Sequence, residues 1–276
     1  MKINFRYLLI FLVSFYVYQQ AAAQAVSFSP TRVFFKGNPG ETVSEVITIS
    51  NTSKLPYEFV TSIADWKRDS VGQKEYAEMG TMPHSNAKHI QLSGTTLQVN
   101  PGEQKSFTVS MIIPVNPSSS IASNSMLFFT QTNAQEPDMD GKSGVGVKVS
   151  MELGVQLFYT PYDSKPGDLH FLAFEKDETI SDDNALNSRN IRLAVKFQNT
   201  GEVNKDGFVR FELTNKQSGD EVKAKPIPIA IMPHDEQWVY YTLPHPIDEG
   251  EYLAVAILDA GNNFDLKVAE KNIHVQ

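Results

Sequence analysis

The chain has 276 residues and no cysteine, so neither a disulfide framework nor thiol chemistry contributes to what it does. With Lys2 and Arg6 set aside, 22 basic side chains face 32 acidic ones, a net charge of −10. A surface that acidic excludes nucleic acid and anionic lipid as electrostatic partners.

Residues 1–25 read as a secretory signal peptide: Lys2 and Arg6 open it, Tyr7 to Tyr18 is mostly apolar, and Ala21, Ala22, Ala23 and Ala25 supply small residues for cleavage between Ala23 and Val26. The apolar run is shorter than the roughly 20 residues of a membrane span. No Cys follows it for lipid attachment. The expected product is a soluble periplasmic protein without membrane insertion, with the cell surface as the alternative location.

The remaining stretch is long enough for one large domain or two ordinary ones, and it alternates with period two between turns. Val43, Val46, Ile47 and Ile49 form a strand closed by Asn51-Thr52-Ser53. Tyr57, Phe59 and Ile63 begin a second, ending near Trp66. Phe107, Val109, Met111 and Ile113 follow the turn Asn100-Pro101-Gly102-Glu103, and Met126 to Thr132 is another short apolar run. Then Val145, Val147, Val149, Met151, Leu153, Val155 and Leu157 alternate unbroken with mostly polar neighbours. That is longer than the usual strand of about five or six residues. It ends at Phe158-Tyr159-Thr160-Pro161-Tyr162, and the turn-rich Ser164-Lys165-Pro166-Gly167 marks a domain boundary.

The second half repeats the pattern. Ile191, Leu193, Val195 and Phe197 alternate and stop at Asn199-Thr200-Gly201, as the earlier strand stops at Asn51-Thr52-Ser53. The segment Val99 to Gln104, a strand and Pro114 are answered by Met232 to Gln237, a strand and Pro244. Tyr252 to Leu258 and Phe264 to Val275 supply the last strands. Two echoes in the same order suggest two copies of one sandwich. The expected fold is all-β: two immunoglobulin-like β-sandwich domains in tandem, residues 26–162 and 166–276, after the signal peptide of residues 1–25.

Chemistry-bearing motifs are scarce. His84, His89, His170, His234, His245 and His274 show no paired metal spacing, and Asp138-Met139-Asp140-Gly141 departs from a calcium loop. Asp182-Asp183 lies in a polar stretch that reads as a solvated loop. Phosphate loops, dinucleotide fingerprints and nucleophile elbows are missing from the sequence. The chain is expected to be no enzyme, with no catalytic residue, no metal and no cofactor. What remains is strand surface. The long alternation is either an ordinary core strand or a template on which a partner strand pairs.

Val26 to Val33, then Ile49 to Tyr57, then Leu97 to Gln104, Leu127-Phe128-Phe129 and the alternation ending Leu157 to Pro161 occur in the order seen in PapD-like periplasmic pilus-assembly chaperones, and residues 26–162 resemble that family. Residues 166–276 resemble its second domain only as another sandwich. The resemblance implies that the long strand lends Val147, Val149, Met151, Leu153 and Val155 to a pilin-like subunit lacking its own last strand. It also implies a basic pair holding the subunit's terminal carboxylate. Arg32 matches the first member of that pair; Gln156 stands at the second, where the family has Lys. Ser125 and Thr160 stand where the family has charged residues that lock its domains together.

The partners implied are protein subunits of surface structures and an outer-membrane usher. Arg32 is expected to bind rather than to stabilise the fold, since an Arg is seldom buried unless paired. The alternative is an envelope or cell-surface structural or adhesin-like protein that reuses the fold without donating a strand. The Lys that is missing at Gln156 favours that alternative.

Overall fold

The structure, a computed structural model, describes residues 26–115, 119–133, 149–180, 189–244 and 247–275, without the side chains of 178–180, 189 and 190. The expected signal peptide and the Val145 to Lys148 part of the long alternation lie outside the described residues.

The first sandwich is built from β1 (Val26–Ser29), β2 (Arg32–Phe35), β3 (Thr42–Asn51), β4 (Tyr57–Arg68), β5 (Lys74–Ala77), a 3-10 turn (Ala87–His89), β6 (Ile90–Leu92), β7 (Thr96–Val99), β8 (Gln104–Ile112), β9 (Ser123–Gln131) and β10 (Glu152–Tyr159). One sheet runs β1-β3-β8-β6. The other runs β2-β10-β9-β4-β5, with β7 also paired to β4. The N-terminal segment therefore changes sheets: β1 pairs antiparallel with β3, and after a cis Ser29–Pro30 bond β2 pairs parallel with β10.

The second sandwich comprises β11 (Leu169–Ile180), β12 (Arg189–Asn199), β13 (Lys205–Asn215), β14 (Glu221–Lys223), β15 (Ile227–Ile231), β16 (Glu236–Thr242), β17 (Gly250–Asp259) and β18 (Lys267–Val275). Its sheets run β11-β12-β16 and β14-β13-β17-β18, with β15 also paired to β13. Each sandwich has its own buried core. Phe59, Phe107, Phe129 and Leu157 lie in the first, and Phe197, Phe211, Leu213 and Ala256 in the second. The alternation puts every second residue inward, so burying one face fixes the register.

The two echoes in the sequence are the same corner built twice. Asn51 is buried: its Nδ2 donates to the carbonyls of Leu55 (2.8 Å) and Val99 (3.0 Å), and its Oδ1 accepts from Ser53 N (2.9 Å). Asn199, also buried, donates to the carbonyls of Val203 (2.8 Å) and Met232 (3.1 Å) and accepts from Gly201 N (3.0 Å). An amide carries both donors and acceptor on one planar group, which is why Asn can close a strand end against the neighbouring loop.

The linker is tied to the second sandwich. Glu202 N donates to Lys165 O (2.8 Å), Thr200 N donates to Asp168 O (2.9 Å), and the buried Lys205 Nζ donates to Pro166 O. Gly167 has φ +55°, and a Cβ there would lie 2.3 Å from the backbone of Gly201. Only two glycines allow the chains to run this close.

Candidate functional site

The site starts from β10 and its neighbours. On one side β10 pairs with β9 along its whole length, Glu152 opposite Thr130 through Tyr159 opposite Ser123. On the other side β2 covers only Gln156 to Tyr159. Gln156 N donates to Thr31 O (3.0 Å), so its main chain points toward β2. In an antiparallel ladder every second residue shares that direction, so the N–H and C=O groups of Glu152 and Gly154 point to a side where no strand pairs among the described residues. Leu153 and Val155 direct theirs to β9. The result is a short open sheet edge.

The side chains expected to be donated are placed unevenly. Val155 is buried in the core beside Leu157 and Tyr159, and Met151 packs against that core. Leu153 is half-buried, and Val149 is 66% exposed. Val147 lies outside the described residues. The described strand also begins only at Glu152, so Val149 and Met151 precede it.

At the far end of the open edge the two sandwiches meet. Arg32 Nη1 reaches Asp206 Oδ2 at 2.5 Å, an ion pair between sandwiches with side chains 37% and 58% exposed. Gln156 lies opposite Arg32 in the ladder and is 9% exposed. Both line a cavity of about 50 Å³ together with Phe34, Trp66, Arg68, Phe158, Asn204 and Lys205. Buried Gln156 Oε1, Arg68 Nε and Asn204 Oδ1 have no hydrogen-bond partner there. Arg68 Nη1 donates to Gly72 O (2.6 Å), and its guanidinium lies over the Trp66 ring at 5.4 Å. Burial, and then the facing Arg32 guanidinium, hold the Arg68 pKa below its ordinary value, against the pull of Asp206 and Tyr76.

Two further features fix the cleft. Trp66, Met126, Phe158 and Met232 form an apolar plug between the sandwiches, with Phe158 stacked on Phe34 at 5.2 Å. Glu202 is the polar clamp: its carboxylate accepts from Ser120 Oγ (2.8 Å) and Lys165 N (2.6 Å), and its carbonyl accepts from Ala122 N (2.7 Å). Ser125 is fully buried with no partner for its Oγ, and Thr160 is exposed. Glu202 and the Arg32–Asp206 pair thus hold the domains where Ser125 and Thr160 do not.

The loop Met82 to Ser85, which with Trp66, Arg68 and Met232 lines a second cavity of about 250 Å³ between the sandwiches, hangs on Asp65. This carboxylate is fully buried and accepts from Thr81 N (2.8 Å), Met82 N (2.8 Å) and Ser85 Oγ (2.5 Å). Burial raises its pKa, but the hydrogen bonds together outweigh that and hold it below the usual carboxylate value. Among the described residues no group of three or more His, Cys, Asp or Glu is placed to hold a metal ion, and no helix is long and apolar enough to cross a membrane.

Sequence reasoning brought Arg32 and Gln156 together and missed Arg68, Asp206 and Glu202. A lone Arg ending one strand, an Asp opening another and a Glu in a loop carry no signal until the two sandwiches are oriented.

No family model matches the chain, and no curated protein matches it in sequence. Among solved structures it is similar to the YadV chaperone, with 14% identity over 91% of this chain and 100% of that one and a TM-score of 0.44. It is similar to the CsuC–CsuE chaperone–tip adhesion subunit pre-assembly complex of Acinetobacter baumannii, with 10% identity, 90% and 98% coverage and a TM-score of 0.45. A third is the Salmonella enterica SafA pilin in complex with the SafB chaperone, with 12% identity, 93% and 99% coverage and a TM-score of 0.42. Each of these likenesses runs over both sandwiches, covering 90% or more of this chain.

Proposed function

We propose that the chain is a periplasmic chaperone-like protein that binds pilin-like or other β-rich surface subunits by strand addition at the open edge of β10. The observation that carries this reading is the pair of backbone faces at Glu152 and Gly154, left without a pairing strand among the described residues and continuous with the cleft that holds Arg32. An incoming strand would complete the ladder there, since main-chain hydrogen bonds give affinity and pockets for alternate side chains give selectivity. Of the donated side chains, Val149 and Leu153 have the exposure that entry into a partner requires. Arg32, with Arg68 as second cation in place of a Lys at Gln156, would receive an acidic group of the subunit. The outer-membrane usher belongs to this proposal as the subunit's next recipient.

Capture from periplasmic extract by the tagged protein tests the reading. The wild type should retain small β-rich proteins, and Glu152→Pro, which removes one outward N–H at the first strand position where Pro is tolerated, should lose them without unfolding. Equal capture by both would refute strand addition. A second reading, a structural or adhesin-like protein of the envelope, is favoured by one observation: Met151 and Val155 are committed to the protein's own core.

A further inference from the structure

We propose that Asp206 is a built-in competitor for the Arg32 anchor, so that a partner's acidic group enters the cleft only by displacing this carboxylate from the second sandwich. The inference rests on reading the cleft as an anchor for an acidic group, and it adds how that anchor is gated.

Arg32 and Asp206 are 174 residues apart and meet across the domain boundary at hydrogen-bond distance. The pair lies at the mouth of the cavity, open enough to water for one carboxylate to exchange with another. The cavity is unbalanced as it stands. Two guanidiniums, Arg32 and Arg68, face one carboxylate. Lys205, the third cation there, is spent on the linker carbonyls of Pro166 and Gly167. Arg68 Nε lacks an acceptor, while Gln156 Oε1 and Asn204 Oδ1 lack donors. A buried polar group without a partner is costly. A group that both accepts and donates, such as the carboxylate and last N–H of a peptide end, meets both kinds of vacancy, Arg68 Nε through its oxygens and one of the two orphaned carbonyl oxygens through its N–H.

The mechanics allow exchange. Asp206 sits on a fixed backbone, paired through β13 to Ala230, with a neighbouring Gly207 whose absent Cβ would lie 2.3 Å from Asp259 O. Only its side chain needs to swing. The sandwiches stay together when it does, because the Glu202 clamp and the Trp66, Phe158 and Met232 plug do not involve Arg32. In the resting protein Asp206 therefore occupies the anchor, and apparent affinity for an acidic group falls by the fraction of time the pair is closed. A neutral ligand does not compete and is unaffected.

The test uses two small probes, N-acetylphenylalanine and N-acetylphenylalaninamide, titrated into the full-length mature protein and followed by NMR. Asp206→Asn should bind the carboxylate about fivefold more tightly than the wild type, the upper end for releasing one partly exposed ion pair, with the amide unchanged. Arg32→Gln should bind carboxylate and amide alike. If Asp206→Asn gains nothing while Arg32→Gln still loses the carboxylate, the anchor stands and the gate is refuted. If neither wild type nor Asp206→Asn prefers the carboxylate, the anchor reading falls, and the gate with it. Asp206→Ser, checked by its melting temperature, repeats the comparison should the Asn variant fold poorly.

Discussion

Replacing Asp65 should release the Met82 to Ser85 loop from the first sandwich. The fully buried carboxylate holds two backbone N–H groups and one hydroxyl, at 2.8, 2.8 and 2.5 Å. Asp65→Ala leaves Met82 N without an acceptor, at about 1–3 kcal/mol, and Thr81 N with only its longer bond to Glu78 O (3.3 Å), at less, while Ser85 can turn elsewhere. The expected loss is about 1–4 kcal/mol, against a total of about 5–15 kcal/mol for a domain. At about 3–5 °C per kcal/mol this lowers the melting temperature of the first sandwich by roughly 3–20 °C. The chain has two tryptophans. Trp238→Phe would leave Trp66, next to Asp65, as the reporter for urea unfolding. The pH dependence has a definite sign. The folded pKa is depressed, so this stabilisation is present above the unfolded value of about 3.9 and is lost as pH falls through the folded pKa. Wild type should lose stability in that acid window, and Asp65→Ala should lack that component. A loss below about 1 kcal/mol with an unchanged acid profile would refute the reasoning.

Arg32→Ala should lower the unfolding free energy by only about 0.2–1 kcal/mol, because its ion pair is partly exposed, and weaken subunit capture; a larger drop in midpoint would make Arg32 structural. Glu202→Ala should loosen the two sandwiches, read as a broader small-angle scattering distance distribution, while the melting of each changes little. Val149→Glu should stay within about 0.5 kcal/mol of wild type in urea, whereas Leu157→Ala should lose about 2–5 kcal/mol, since one side chain is exposed and the other is in the core. Asn51→Ala and Asn199→Ala should each destabilise the sandwich that carries it, checked by two-transition calorimetry.

The paired corners were the most legible part of the fold. Asn51 and Asn199 sit at strand ends followed by turn residues, and their side chains do the same work in both sandwiches, so local chemistry alone carries the repeat. The alternation from Val145 to Leu157 set out which side chains share a face, but Val155, expected to be lent to a subunit, lies with Leu157 in the core. It did not show where the ladder begins, because period two is a property of side chains and β10 is bounded by what its neighbours can reach. The Arg32–Asp206 pair and the Glu202 clamp were invisible for another reason. Each joins residues of different sandwiches, and their meeting depends on an orientation set by Trp66, Phe158 and Met232 acting together.

Strand addition is tested most directly by amide hydrogen exchange at β10, comparing the free protein with its complex with whichever subunit the wild type captures. In the free protein the amides of Glu152 and Gly154 should exchange rapidly, while those of Leu153 and Val155, bonded to β9, are protected. On binding, Glu152 and Gly154 should become protected and the other two should stay as they were. Protection of Glu152 and Gly154 already in the free protein, or continued rapid exchange in the complex, would contradict the account.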